Sequence, residues 1–352
     1  MLKLFATKLL SKFREYHCIA LFVHVQPDFD AFASAFSLKG WLKDNFPGKV
    51  VYLIIPPRVI KPEEQFLFQH EDELPSEEEL KKCLGIVVDT PNQERILTDL
   101  YKYCKELVVI DHHPKSKPFS DLEFIDPTYP ATAQILSEMF IYWESEEGGK
   151  YAFKEKIAQY LYAGIITDTN NFLSLSMLPS TYQVLASLVS KGLNRASIHN
   201  WVFVKPLIQK LLEIKILENC YITKNGLIFA IVTPKMMNKY KIKNVPAIIT
   251  MLENISNIEC WSVLFYEQST DKWKCSIRSK DLTINQIAKI YGGGGHSKMA
   301  AVTFDKKSNY YKLLATLDEY LANHGFANVS LLEKKKNWRL SLIKRLKKYK
   351  SL

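Results

Sequence analysis

The chain has 352 residues, 47% of them hydrophobic and 24% charged, with eight histidines and a formal net charge of +10. Length and composition suit a globular protein of two domains and exclude a disordered or fibrous chain, and no apolar run is long enough to span a bilayer. Six cysteines, at positions 18, 83, 104, 220, 260 and 275, form no CxxC pair. That favours buried thiols in a reducing cytoplasm over a disulfide framework or a zinc ribbon.

At the start of the chain Leu2, Phe5, Leu9 and Phe13 recur at helical spacing, with Lys3, Lys8, Lys12 and Arg14 between them. This predicts an amphipathic helix packed on the first domain rather than a cleaved leader. CIALFVHV, 18–25, reads as a buried strand, and 30–46 as a helix with Ala31, Ala35, Leu38 and Leu42 on one stripe. KVVYLII, 49–55, is the next strand. A polar insertion follows, whose acidic runs Glu71–Glu73 and Glu77–Glu79 read as a solvated surface loop. LGIVVDT, 84–90, is a strand, Gln93–Cys104 a short helix, and ELVVIDHH, 106–113, a strand ended by Pro114. TAQILSEMFIYW and KEKIAQYLYAGIITDT are helices separated by a loop tip at Gly148-Gly149. Strand–helix alternation predicts an α/β fold with a mostly parallel sheet and helices on both faces, whose ligands sit at the carboxyl ends of the strands.

The first domain is expected to span 1–190, followed by a helical connector at 191–213. Beyond it NGLIFAIVT, IECWSVLFYEQ and KWKCSIRSK are strands rich in aromatic and β-branched residues, and LTINQIAKIY is a helix leading into GGGGH, 292–296. These make a second, smaller α/β domain, 214–330. Residues 331–352 form a basic tail whose Lys334, Lys335, Lys336, Arg339, Lys344, Arg345, Lys347, Lys348 and Lys350 leave the rest of the chain nearly neutral. With Trp338, Leu342, Leu346 and Tyr349 interleaved, the tail could track nucleic acid or lie on an anionic surface. A solvated terminus without a specific role explains it equally well.

Acids and histidines gather at segment ends. The first strand runs into His24-Val25-Gln26-Pro27-Asp28-Phe29-Asp30, the third ends in Asp89, the fourth in Asp111-His112-His113, and the second long helix in Asp168. A lone Asp at a strand end is usually a turn or helix cap, and a lone His usually has no special role. A set of five carboxylates and three imidazoles at the end of one parallel sheet is another matter. Carboxylate oxygens mixed with imidazoles suit Mn²⁺ or Mg²⁺, and the absence of cysteine argues against structural zinc. The ligands exceed the need of one ion, and two ions about 3.5–4 Å apart is the arrangement used for displacement at phosphorus.

HVQPDFDAFASA, VVDT, VVIDHH, GIITDT and the late GGGGH resemble the ordered motifs of the DHH–DHHA1 phosphoesterase superfamily of RecJ-like nucleases, and most of all its short NrnA-type members. The resemblance runs from about residue 15 to about residue 325. It implies a catalytic DHH domain, a substrate-binding DHHA1 domain and an active site in the cleft between them. It implies two divalent ions, Mn²⁺ ahead of Mg²⁺, with His24 and Asp28 on the first, Asp30, His112 and Asp168 on the second, and Asp89 bridging. His113 would face the scissile phosphate, and Asp111 would orient His112 or His113. Arg278 and His296 would hold substrate phosphates, with Gly293, Gly294 and Gly295 letting backbone N–H groups approach. The sequence departs from the family at Phe29 and Ala33, where glycine is usual, and at Ala300-Ala301-Val302, where AAG is usual; Phe29 would narrow the pocket or stack on a base.

The expected activity is hydrolysis of very short oligoribonucleotides to 5′-mononucleotides, with 3′-phosphoadenosine 5′-phosphate as a further substrate. A phosphodiesterase acting on cyclic di-AMP or pApA is the alternative with the same chemistry, and a manganese pyrophosphatase is a weaker one. A non-enzymatic RNA-binding protein acting through the tail is the alternative of another class. Partners are then short RNA or a dinucleotide, with a homodimer left open.

Overall fold

A computed structural model of the chain describes residues 1–60, 64–69, 74–146, 148–173, 177–241, 246–267 and 270–326. The basic tail 331–352 and the acidic run Glu71–Glu73 lie outside the described residues. The chain divides into two units, Met1–Val204 and one beginning at Lys205.

The first unit is built on five parallel strands: β1 (Cys18–Phe22), β2 (Val50–Leu53), β3 (Cys83–Val88), β4 (Glu106–Asp111) and β5 (Leu122–Ile125), in the order β2-β1-β3-β4-β5. The central strands β1 and β3 are runs of apolar residues buried on both faces, as inner parallel strands must be, while the edge strands β2 and β5 are partly exposed. Ile19, Leu21, Ile86, Val88, Val108 and Ile110 face one core. It is shared with α1 (Leu2–Glu15), α2 (Phe29–Asn45), α4 (Thr132–Glu146) and α5 (Glu155–Asp168). Ala20, Phe22, Val87 and Val109 face a smaller core closed by Leu80, Ile96 and Tyr101.

That second face is covered more thinly than the sequence predicts. The expected helix over Gln93–Cys104 is two 3₁₀ turns, Gln93–Arg95 and Asp99–Tyr103. The side chains of Asn92 and Thr98 accept from Glu94 N–H and Leu100 N–H, so two caps within six residues divide the segment before an α-helix can propagate. In the acidic insertion Glu77–Leu80 is a short helix, α3, with a capping box between Ser76 and Glu79.

Strand order reverses direction between β1 and β3, which makes their carboxyl ends the switch point of the sheet. At the opposite ends Cys18 and Cys83 stand directly across from each other, their Cα atoms 4.4 Å apart, and are joined by a disulfide. This corrects the reading of all six cysteines as thiols. The 65-residue separation hides a pairing that only the strand register reveals. Cys104, Cys220, Cys260 and Cys275 are free.

The unit continues through α6 (Pro179–Ser190) and α7 (Arg195–Phe203). The segment expected as connector, 191–213, holds α7 and the first half of α8 (Leu207–Asn219). No described helix is long and apolar enough to cross a membrane.

The second unit is a mixed six-stranded sheet in the order β10-β11-β9-β8-β7-β6. Its strands are β6 (Tyr221–Ile222), β7 (Leu227–Val232), β8 (Cys260–Glu267), β9 (Lys272–Ser279), β10 (Gly294–His296) and β11 (Met299–Phe304). Only β7 and β8 run parallel. α8 and α9 (Pro234–Lys239) pack on one face, through Leu212, Ile216 and Met237. α10 (Asn285–Ile290) and α11 (Ser308–Asn323) pack on the other, through Ile287, Tyr310, Leu313 and Leu317.

α2, α4 and α5 meet so closely in the first unit that one position admits no side chain. A Cβ on Gly164 of α5 would lie 2.7 Å from Asp30 Oδ1, 2.8 Å from the Ala133 methyl and 2.9 Å from the Ala33 methyl. Gly164→Ala should therefore destabilise the protein by about 1–3 kcal/mol through overpacking, although alanine is the better helix former by about 1 kcal/mol. A urea titration showing equal or higher stability would contradict this.

Candidate active site

The polar side chains of interest emerge where β1, β3 and β4 end. β1 runs out at Phe22, and the chain beyond it is gripped by the segment after β3: Val25 N–H donates to Arg95 O (2.7 Å) and Leu97 N–H to Val23 O (2.9 Å). This fixes His24. Its Nδ1–H donates to Val25 O (2.8 Å), so Nε2 faces Asp89 Oδ2 at 3.5 Å and Asp28 Oδ2 at 3.9 Å.

Asp28 does two jobs. One carboxylate oxygen caps α2, accepting from the N–H groups of Asp30 and Ala31 (both 3.1 Å), and the other faces His24. Asp89 follows the last residue of β3 with φ at +64°, a left-handed conformation that costs a non-glycine residue about 1–2 kcal/mol. Its two oxygens face different rings: Oδ2 faces His24, and Oδ1 lies 3.6 Å from His112 Nε2.

His112 and His113 follow β4, with ring centroids 4.4 Å apart. His112 Nδ1 is 3.2 Å from Tyr129 O. Its Nε2 is buried, 3.2 Å from Asp168 Oδ2 and 4.0 Å from Asp30 Oδ2, with no hydrogen bond of acceptable geometry. His113 is held differently. Asp111, fully buried, accepts from both its backbone N–H (3.0 Å) and its Nδ1–H (2.9 Å). Of the two histidines, it is His113 that Asp111 is hydrogen-bonded to.

Asp30 is fully buried in α2. Its oxygens accept from the first two N–H groups of α4, Thr132 (2.7 Å to Oδ2) and Ala133 (2.9 Å to Oδ1). Asp168 is the last residue of α5, where the helix dipole disfavours a negative charge.

The donors form three overlapping groups, each with its donor atoms within 4.8 Å of one another: His24, Asp28 and Asp89; Asp30, His112 and Asp168; Asp89, His112 and His113. These residues fit a divalent cation. Both His24 and His112 present Nε2 while Nδ1 faces a backbone carbonyl, the support that metal-binding imidazoles usually have. The buried Nε2 of His112, set among three carboxylates without a well-formed hydrogen bond, is the atom a cation would satisfy.

Electrostatics agrees. Burial opposes charge on His24, but hydrogen bonding toward Asp28 and Asp89 pushes it up to about 10. His112 reaches about 10 in the same way, burial being overcome by Asp168, Asp30 and Asp89. Burial raises Asp168 to about 6, opposed by His112 and reinforced by Asp28 and Asp89. Burial, with the charges of Asp89 and Asp168, holds Asp30 well above the carboxylate range.

Phe29 does not stand free. Its ring packs against Phe68 at 5.7 Å, and Phe68 in turn against Phe32, Phe36 and Tyr160. In the second unit Arg278 is half-buried on β9, and burial lowers its pKa. The sheet register sets Arg278 opposite Met299 and Met299 opposite His296. Gly294 and Gly295 belong to a strand pairing with β11, and Gly293 immediately precedes it. A Cβ on Gly293 would lie 2.2 Å from Ala301 O, and one on Gly295, whose φ is +136°, 2.2 Å from Met299 O. Gly294 has open space around its Cβ position.

Sequence reasoning missed Thr132. Its hydroxyl donates to Asp89 Oδ1 (2.9 Å), but ATAQI reads as an ordinary helix start.

The DHH family N-terminal domain model matches residues 18–165, and the DHHA1 domain model matches 227–323. An uncharacterized protein of Mycoplasma genitalium is 37% identical over 88% of this chain and 94% of its own length. The bifunctional oligoribonuclease and PAP phosphatase NrnA of Bacillus subtilis is 28% identical over 90% of this chain and 99% of its own. Among solved structures, an exopolyphosphatase-related protein from Bacteroides fragilis superposes with a TM-score of 0.78 at 20% identity, covering 91% of this chain and 98% of its own.

Two outcomes are expected from this geometry. His112→Ala should lose a bound divalent cation, whereas His113→Ala should retain it and lose turnover; metal analysis of both variants after dialysis checks the division, and equal metal loss would contradict it. The second concerns pH. Folded His24 and His112 hold protons up to about 10, against an ordinary value of 6.5. Their stabilisation is complete below the ordinary value and lost as pH rises through the folded one. The chelator-treated protein should thus lose stability between pH 7 and pH 10, as urea unfolding across that range would report.

Proposed function

The chain belongs to the DHH family and is a phosphoesterase hydrolase, and from that premise we propose that it cleaves very short oligoribonucleotides to 5′-mononucleotides and removes the 3′-phosphate of 3′-phosphoadenosine 5′-phosphate. The observation that carries this reading is the placement of Asp89. One carboxylate faces His24 with one oxygen and His112 with the other, at 3.5 and 3.6 Å, so the two donor groups are joined through it. Such a set suits two cations better than one.

His24, Asp28 and Asp89 would hold one cation, and Asp30, His112 and Asp168 the other, with Mn²⁺ favoured by the mixed donors. Bound ions of this kind supply Lewis-acid charge and an acidic water near neutral pH. The chain's own residues do the rest. Asp111 holds His113 by two hydrogen bonds, fixing its tautomer and leaving Nε2 to meet a phosphate oxygen. In the second unit, Arg278 offers a planar fork suited to a phosphate. The substrate class is supported by the name of the Bacillus subtilis relative, an oligoribonuclease and PAP phosphatase aligned along nearly its whole length.

With Mn²⁺ the purified protein should convert a 5′-phosphorylated diribonucleotide to 5′-mononucleotides, more slowly with Mg²⁺, and His113→Ala should reduce kcat by about 10²–10⁴-fold. Chromatography of products from the diribonucleotide, 3′-phosphoadenosine 5′-phosphate, pApA and cyclic di-AMP ranks the substrates by kcat/KM. Absence of turnover on the first two with either ion would sink the proposal.

A further inference from the structure

One residue outside the proposed ligand set touches both donor groups. Thr132, fully buried, is the first residue of α4. Its backbone N–H donates to Asp30 Oδ2 at 2.7 Å, and its hydroxyl donates to Asp89 Oδ1 at 2.9 Å. The consequence follows from the chemistry of a carboxylate. Asp89 ends a strand in a left-handed conformation, and the plane of its carboxyl decides whether its oxygens are shared between His24 and His112 or both turn to one side. A hydrogen bond to Oδ1 from a rigid helix end fixes that plane. Each oxygen retains a lone pair, since the hydroxyl occupies only one of those on Oδ1.

We propose that Thr132 is a positioning residue that divides Asp89 between the two donor groups, and that it ties this division to the placement of Asp30 through the same helix turn. The inference deepens the two-cation reading above and rests on it. Thr132 touches no reacting atom; it acts through Asp89 and Asp30.

Thr132→Val keeps the backbone N–H and the shape and removes the hydroxyl, whereas Thr132→Ser keeps both donors. Titrating chelator-treated protein with Mn²⁺, followed by calorimetry, should give two equivalents for the natural chain. In Thr132→Val at least one equivalent should bind about 10–100-fold more weakly, the usual effect of removing a hydrogen bond to a metal ligand. Thr132→Ser should match the natural chain. Turnover of the valine variant should recover as Mn²⁺ is raised, with KM for the diribonucleotide unchanged, a pattern that general destabilisation would not produce. If the valine variant does not fold, Thr132→Ala removes the same hydroxyl without adding a methyl beside the carboxylate and is read in its place. Two equivalents bound with natural affinity by the hydroxyl-free variant would overturn the proposal, as would a serine variant as impaired as the valine one. A natural chain that takes up fewer than two equivalents would overturn the two-cation reading itself, and the role of Thr132 with it.

Discussion

Carboxylates that face one another in a buried pocket cannot all stay ionised without positive charge between them, and the first unit is organised around that repulsion. Asp30 and Asp89 are buried, Asp168 joins them across His112, and burial with mutual repulsion raises Asp30 and Asp168. Within the chain the positive charge comes from His24 and His112, which keep protons far above their ordinary range. The surrounding structure resists the tendency of these groups to separate. α4 presses two N–H groups onto Asp30, the 3₁₀ segment after β3 grips the backbone on both sides of His24, and Asp89 is held in a left-handed conformation. Strain and like charge collected in one place, with supports on every side, mark a site retained for chemistry rather than stability.

Much of this was legible in the sequence, because the relevant signals are local. Strand and helix periods gave the parallel sheet, and residues ending a strand in such a sheet must gather at one edge. Even the ordinary reading of Asp28 as a helix cap was right, and it does not compete with the reading as a ligand. A carboxylate has two oxygens; one caps α2 and the other faces His24. What the sequence hid depends on register and on contacts between distant segments. Cys18 and Cys83 meet because β1 and β3 pair in one register. Thr132 reaches Asp89 across 43 residues, and nothing in ATAQI distinguishes a hydroxyl that supports a carboxylate from one at a routine helix start. The segment 93–104 looked helical by composition, and its division into 3₁₀ turns comes from two capping side chains whose effect is apparent only when their hydrogen bonds are seen.

The departures from the family pattern also have a packing explanation. Ala33 stands where glycine is usual, and Gly164 supplies the missing space on the facing helix, its Cβ position 2.9 Å from the Ala33 methyl. Phe29 also replaces glycine, and its ring joins the Phe68 cluster on the core side. In the second unit the glycines that suggest a phosphate loop answer a different demand. Gly293, just before β10, and Gly295, within it, lie against the β11 backbone so closely that no side chain fits, so close packing on β11 explains their identity, whatever the backbone there also binds.

The two adjacent histidines show how small a difference separates two roles. In a continuing strand, consecutive side chains point to opposite faces. β4 ends at Asp111, and the chain beyond it brings both rings to the same side, their centroids 4.4 Å apart. Each ring is then held at Nδ1 by an acceptor, but the acceptors differ. Behind His112 is the neutral carbonyl of Tyr129, which fixes the tautomer and leaves Nε2 among three carboxylates. Behind His113 is the buried carboxylate of Asp111, which accepts from Nδ1–H and fixes the tautomer. The two adjacent rings thus differ in the atom behind Nδ1, a neutral carbonyl for His112 and a buried carboxylate for His113, which gives them unlike electrostatic surroundings.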